Sequence, residues 1–455
     1  MSLLFSTNFR NAYQSYGSSP APLFTTLDIA FNGSGTRRFS DDVHATAMMA
    51  VGSSPRLSAG AIGAISSSVS QRAGDLGRQT HSVKLIDTDR ALSSLAAGRY
   101  DIRRSPVTFK WGLPGLVEAD WFTAFTGVVN DWSWSAGEFE LQTSTDDRVL
   151  RGYVPNRQIL KGWAPNAPQS RLGLYVPIVI GIHDGQGLTG RGMLPMIPYC
   201  IDATMGYWYL VSLGAMKSVP RVYKGATALS SGTGANQFQV SNIWRGGMYM
   251  TVVQIYSPSP VLTDADVLTC DVEGTQSVGG VVITNPVEQL KWMLNNVIYN
   301  DWGGDPSGTF STAPTDDTLM STAAAYAAAF KYEGSRYIGG TTEQSTGSEL
   351  LSSWMKSHIN MRARWSNLGR LGVFPIDHRY LPYAADYVFD GEEFDRVFSF
   401  KTSSEGLSSK VKSSYLYGEA DSKYWMTLEV QDLARWQIEK ITESFDLSWS
   451  ASRFQ

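Results

Sequence analysis

The residues of this chain whose types could do chemistry are five histidines (His44, His81, His183, His358 and His378), two cysteines (Cys200 and Cys270) and several adjacent acids. Two of the histidines have a carboxylate as chain neighbour, His183 beside Asp184 and His378 beside Asp377. An imidazole oriented by a carboxylate can act as a general base, but successive strand residues point to opposite faces, so these neighbours read as structural or exposed groups. Asp301-Trp302-Gly303-Gly304-Asp305-Pro306-Ser307-Gly308 places oxygen donors in a glycine-rich loop and raises the question of Ca²⁺. It lacks the alternating acids and closing Glu of an EF-hand loop, and a plain exposed turn accounts for it better. Gly33-Ser34-Gly35-Thr36-Arg37-Arg38 would suit a phosphate only between a strand and a helix. No such context surrounds it, so it reads as a solvated loop. The paired acids Asp41-Asp42, Asp146-Asp147, Asp316-Asp317 and Glu392-Glu393 belong on solvated loops or at helix caps. A glycosidase would need two carboxyls converging on one cleft, which adjacency does not provide.

The familiar motifs are missing. No serine has glycine two positions before and two after it, and neither HExxH nor GxxxxGK[ST] occurs, which argues against a classical hydrolase or NTPase. Cys200 and Cys270 each lie in an apolar or β-like run, too few for a disulfide framework and outside any metal-ligand spacing. They read as buried, reduced thiols of a protein that matures in a reducing compartment. The expectation is a protein that is not an enzyme, with no catalytic residue, cofactor or metal ligand assigned.

The elements around these residues point to a mainly β protein with α+β portions. In 455 residues, 14 Trp, 21 Tyr and 19 Phe accompany only 18% charged residues and 43 Gly. Aromatics favour pleated surfaces and glycine supplies turns with positive φ, so many short strands are expected. A net charge of −4, with no basic run longer than two residues, argues against a protein that grips nucleic acid sequence-specifically. Nowhere do 18 apolar residues stand together, and Met1 to Asn8 has neither a positive region nor a long enough apolar run for a signal peptide, so neither a membrane span nor export by that route is expected.

Residues 1–153 read as a first β unit: a long loop or arm at 52–70, strands at Ser82–Asp87 and Val107–Gly112, a short helix or turn at Asp89–Ala97 and a hairpin in which Trp132 and Trp134 face Phe139 and Leu141 across a turn at Ser135–Glu138. Residues 154–284 read as a second, with strands at Pro177–Gly181, Gly206–Val211 and Val222–Gly225 and an edge segment at Leu194–Pro198. Residues 285–375 hold helices. Asn285 caps a helix with Pro286 in its first turn and Val287, Leu290, Leu294, Val297 and Ile298 on one face; Ser348 caps another with Leu350, Leu351, Trp354, Met355 and Ile359; and an alanine-rich helix, Ala323–Phe330, follows Asp316-Asp317 after a loop at Trp302–Pro314. Residues 376–455 read as a β-rich segment that could complete an earlier barrel, with Met426, Leu428 and Val430 alternating, a short helix at Asp432–Lys440, then Phe445, Leu447 and Trp449.

In the order and texture of these segments the chain resembles the hub proteins of bacteriophage tail baseplates and the related tail-tip proteins. The passages that carry the resemblance are Val83–Asp87 with Phe109–Gly112 and Trp121–Trp132, then Val176–Gly181 leading to Tyr209–Val211 and Val222–Gly225, and last Asn285–Leu290 with Leu350–Met355, Gly372–Pro375 and Val430–Trp449. The resemblance implies tail-tube-like β-barrel domains, two per chain, in a homotrimer whose pseudo-six-fold ring joins a tail tube or distal-tail ring to a three-fold central spike or tip. It also implies a place in the virion tail baseplate, assembly in the host bacterial cytoplasm, contact with the tape measure protein and a share of the DNA channel, where mild negative charge would let DNA slide. The alternative is a receptor- or glycan-binding tail-fibre-type protein, favoured if the aromatic runs at Trp132–Trp134 and Gly206–Tyr209 are exposed.

Overall fold

In the computed structural model the described residues are 6–16, 23–31, 35–41, 53–62, 79–97, 102–185, 191–202, 204–275, 280–299, 315–358, 361–375, 410–418, 423–431 and 442–446. Strands dominate, with a few helices, as the composition implies.

The first unit opens with helix α1 (Thr7–Ser15), capped by the Ser6 hydroxyl, which accepts the Phe9 N–H at 3.0 Å. It continues with β1 (Phe24–Phe31), β2 (Gly35–Ser40), β3 (Ser53–Ser54), β4 (Leu57–Ile62), β5 (Thr80–Ile86), helix α2 (Ala91–Ala97), β6 (Pro106–Gly112), β7 (Phe122–Ser135) and β8 (Glu138–Ser144). The eight strands form one sheet in the order β3-β2-β1-β6-β7-β8-β5-β4. Its two outermost strands are consecutive in the chain, with Pro55 and Arg56 between them, so one segment pairs with β2 at its start and with β5 at its end. The sheet thereby curls round into a barrel-like unit and leaves no long open edge. Residues of period two from every side fill it: Leu27 and Ile29, Val83 and Leu85, Phe109, Phe125, Phe139 and Leu141 are all fully buried. In the β7–β8 turn Ala136 and Gly137 both take positive φ, as tight hairpin turns require.

The strands of this unit overturn two expectations. The loop or arm at 52–70 carries β3 and β4, because Leu57 opposite Leu85 finds a buried partner that local sequence cannot reveal; residues 63–70 lie outside the described set. The solvated loop at Gly33–Arg38 is, from Gly35 onward, strand β2, held by six register pairs to β1.

The second unit holds β9 (Tyr153–Val154), β10 (Ile178–His183), β11 (Leu194–Pro195), β12 (Ile197–Asp202), β13 (Gly206–Leu213), β14 (Met216–Lys224), β15 (Thr227–Ser231), β16 (Gln237–Arg245), β17 (Met248–Tyr256) and β18 (Leu268–Thr275). Its main sheet runs β12-β13-β17-β16-β15-β14-β18-β10-β19, where β19 (Ser335–Ile338) comes from between the second and third helices of the following region and β11 pairs with β18. The start of β10 comes back to β13: the Leu213 N–H donates to the Pro177 carbonyl at 2.7 Å and the Val179 N–H to Ser212 Oγ at 3.0 Å. This sheet is apolar on both faces. Val179, Tyr209, Val211, Val253 and Ile255 point into one core, while Ile178, Ile180, Leu210, Met250 and Val252 point into another.

That other core is built with helices α3 (Pro286–Trp292), α4 (Asp317–Ala329) and α5 (Gly347–Ser357). Asn285 caps α3 through the N–H groups of Val287 and Glu288, and the chain winds on as a π-helix over Met293–Tyr299, burying Val287, Leu290, Leu294 and Val297. Asp316 caps α4. The cap of α5 is Thr346 rather than Ser348: its hydroxyl accepts from the Glu349 N–H while the Glu349 carboxylate accepts from the Thr346 N–H, a reciprocal box that needs Glu three residues on. Leu350, Leu351, Trp354 and Met355 face the core as the spacing predicts, and Ile359 lies outside the described residues. Strand β20 (Ser345–Thr346) pairs with β9, and β21 (Met361–Trp365) with β22 (Leu371–Pro375) makes a hairpin. At the C-terminal end β23 (Lys410–Gly418), β24 (Lys423–Gln431) and β25 (Thr442–Asp446) form a sheet of their own, β24-β23-β25. The expected loop at 302–314, the helix at 432–440 and the positions of Leu447 and Trp449 fall outside the described residues.

Candidate functional site

The sequence-flagged groups do not gather. His183 is buried on β10, its Nε2 3.1 Å from the Ile180 carbonyl oxygen, and burial lowers it to about 4, so it is neutral at physiological pH. Asp184 turns instead to Arg221, 3.3 Å away. His81 lies edge-on to Phe125 at 4.5 Å, and burial lowers its pKa. His358 packs on Trp354 and is pushed by burial to about 3. Asp41 Oδ1 accepts the Thr25 N–H, Asp146 holds Arg148, Asp147 pairs with Arg151, and Asp317 pairs with Lys291 at 2.9 Å. Cys270 is buried, but Cys200 is only half-buried, because β12 lies at the end of its sheet, where β13 is its one strand neighbour among the described residues. His44, Asp42, Asp301–Gly308, Asp377-His378 and Glu392-Glu393 lie outside the described residues. Among the described residues no three of His, Cys, Asp and Glu stand together as a metal site, and no helix is long and apolar enough to cross a membrane.

Two charged constellations join residues that lie far apart in the sequence. On the outer face of the first barrel, Asp28 of β1, Arg38 of β2, Lys110 of β6 and Glu118 of the following turn form one network. Arg38 Nη2 donates to Asp28 at 2.7 Å and to Glu118 at 2.6 Å, Arg38 Nη1 reaches Glu118 at 2.7 Å, and Lys110 Nζ lies 2.8 Å from Glu118. The Arg38 guanidinium, with Lys110 behind it, holds the Glu118 carboxyl down at about 2. The signal available in the sequence was the alternation Thr36-Arg37-Arg38-Phe39, which puts one arginine on each face of a strand.

In the second barrel, Asp271 of β18 is fully buried, and its Oδ1 accepts the N–H groups of Gly185 (3.3 Å) and Met193 (3.2 Å). Its Oδ2 has no hydrogen-bond partner and lies 3.7 Å from Arg221 Nη1, and burial raises its pKa. Gly192 beside it has no room for a side chain, since a Cβ would sit 2.4 Å from the Cys270 nitrogen. With Arg221 already standing between Asp184 and Asp271, this carboxylate braces two backbone stems rather than poising a proton for transfer.

Comparison with known protein families finds no match, and none of the curated proteins matches. Among solved structures, a chain from the virion of a native gene transfer agent particle is similar at a TM-score of 0.25 and 12% identity, over 68% of this chain and 99% of that one. A likeness of that size fixes neither fold nor role.

The aromatic runs pack into or against the cores, with Trp132, Trp134 and Trp208 partly buried. Trp132 packs on Phe139 with centroids 5.3 Å apart, Trp134 donates to the Asp87 carbonyl under the Arg90 guanidinium, and Tyr207 and Tyr209 are core residues. Trp244 on β16 is exposed and stacks on Tyr249 across the β16–β17 hairpin at 5.4 Å. The arrangement supplies two curled β units with well-filled cores, and the charged groups of its two constellations face one another.

Proposed function

We propose that this chain is a structural virion component, a tail baseplate hub that acts as a homotrimer. The observation that carries the reading is the pair of curled, separately cored β-barrels in one chain, together with the resemblance of Val83–Asp87, Trp121–Trp132, Val176–Gly181 and Asn285–Leu290 to baseplate hub proteins. Three copies bring six barrels to a ring, so a six-fold tail tube or distal-tail ring meets a three-fold spike or tip without a separate adaptor. Ring closure also covers strand edges that would otherwise pair indiscriminately. The mild net charge of −4 suits a channel wall that DNA passes without sticking. The receptor-binding alternative would be favoured by exposed aromatics at Trp132–Trp134 and Gly206–Tyr209, and those side chains pack into or against cores, Trp132, Trp134 and Trp208 being partly buried.

The test is the solution mass by light scattering, with negative-stain images of the same peak. A ring-shaped trimer of three 49.9 kDa chains is expected. A monomer that binds cells or glycans would overturn the reading.

A further inference from the structure

The first barrel keeps its apolar residues to itself. Its buried cluster runs from Phe9 to Leu141, and the two clusters of the rest of the molecule run from Leu150 to Val373. Among the described residues no buried apolar cluster spans the joint between them. The joint is polar instead, and it is formed by the turn of the β21–β22 hairpin lying against β7. Strand β8 covers β7 only from Val128 onward. Ahead of that point Asn367 Nδ2 donates to the Thr123 carbonyl oxygen, and from the residue before β5 the Gln79 Nε2 reaches the Trp365 carbonyl at 3.5 Å. Gly369, at φ +67°, passes so close that a Cβ there would lie 2.8 Å from the Thr126 oxygen. Gln79 Oε1, Trp365 Nε1 and Ser366 Oγ, on the hairpin turn and on Gln79 opposite it, are buried without hydrogen-bond partners among the described residues.

Unpaired buried polar atoms make a contact expensive to keep dry, and a joint with no shared apolar core gains little from closing. We propose that the first barrel is a pivoting unit, docked on the β21–β22 turn by the Asn367 and Gln79 amides and able to undock while every core stays closed. The linker is the short stretch between Thr145, whose N–H donates to the Gln79 carbonyl on the first-barrel side, and Leu150, which is buried in the helical core; within it Asp146 holds Arg148 and Asp147 pairs with Arg151. Docking sets the angle between the two barrels, and the amides set how often it opens.

Hydrogen exchange on the full-length chain tests this, comparing wild type with Asn367→Ala and, separately, Gly369→Ala, both of which leave the first barrel's sequence intact. The N367A loss of one hydrogen bond should speed exchange roughly five- to tenfold in 122–127 and 361–375 alone. The wedge in G369A should do at least as much in the same two segments. Unchanged exchange in both segments, or protection lost through the whole first barrel together with them, would overturn the proposal. Neither result depends on the oligomeric state that tests the hub reading.

Discussion

The two barrels of this chain solve the same closure problem with opposite neighbours. The first turns most of its buried apolar residues inward, apart from a small Phe24–Trp121 cluster, and its outer face carries a four-membered ion network on β1, β2, β6 and the turn after β6. The second is apolar on both faces of β10, β13 and β17, with one side filling the barrel and the other packing on helices. Strands covered on one side can end in a polar joint, whereas strands covered on both sides bind their unit to whatever lies outside. The difference teaches that independence of a barrel is decided by its outer face, not by its core.

Core truncations give the largest way to break this comparison. Trp354 is fully buried and its Nε1–H donates to the Pro286 carbonyl at 3.0 Å. W354A should cost about 3–5 kcal/mol in the helix-plus-second-barrel unit and leave the first barrel's melting step in place, as read by scanning calorimetry. The mirror experiment, F125A, should lower only the first step by a similar amount. If either variant moves both steps together, the two units are one cooperative body.

A smaller effect is expected at the ion network. Arg38→Ala leaves Asp28 and Glu118 with Lys110 as their one remaining shared cation in the network and should destabilise the first barrel by about 1–2 kcal/mol in urea unfolding, less than a fully buried pair would because Glu118 is partly solvated.

The two barrels should also respond oppositely to pH. Glu118 has a folded pKa held at about 2, below the ordinary carboxylate range, so it favours the fold only while ionised. Its contribution is complete above its unfolded pKa and fades as pH falls from there toward about 2, and E118Q should flatten that loss in acid unfolding curves. Asp271 runs the other way, because burial raises its folded pKa above the unfolded one. What it contributes is present below the unfolded pKa and is lost as pH rises through the folded value. Asp271→Asn keeps the acceptor for Gly185 and Met193 while removing the buried charge, so it should leave the second barrel unchanged or stabilise it by about 1 kcal/mol at neutral pH, with the advantage shrinking in acid. A loss of stability in D271N at neutral pH would show that Arg221 offsets the burial in full.

Much of this was legible locally. The alternation of Trp132 and Trp134 with Phe139 and Leu141, the cap at Asn285, the capping acid Asp316 and the stripe from Leu350 to Met355 are short-range patterns, and each fixes its own element. What depended on distant partners was not. Leu57 is unremarkable until Leu85 lies opposite it, Arg38 is one of two adjacent arginines until Asp28 and Glu118 enclose it, and Asp271 looks like any strand acid until Gly185 and Met193 reach over it. The motif search turned up residues that the fold keeps apart, because adjacency in sequence places His183 and Asp184 on opposite faces of the chain.

The order of the first sheet also sets a schedule for synthesis. Phe24 of β1 pairs with Gly112 of β6, and the segment that seals the ring at Leu57 needs β5, which in turn needs β8 at Thr143. A ribosome adding about 5–20 residues per second takes on the order of 10 s to pass from β1 to β6. For that time one edge of β1 has only water or another nascent chain to pair with, and the β1–β2 hairpin, with Arg38 already opposite Asp28, is what holds its place until the rest arrives.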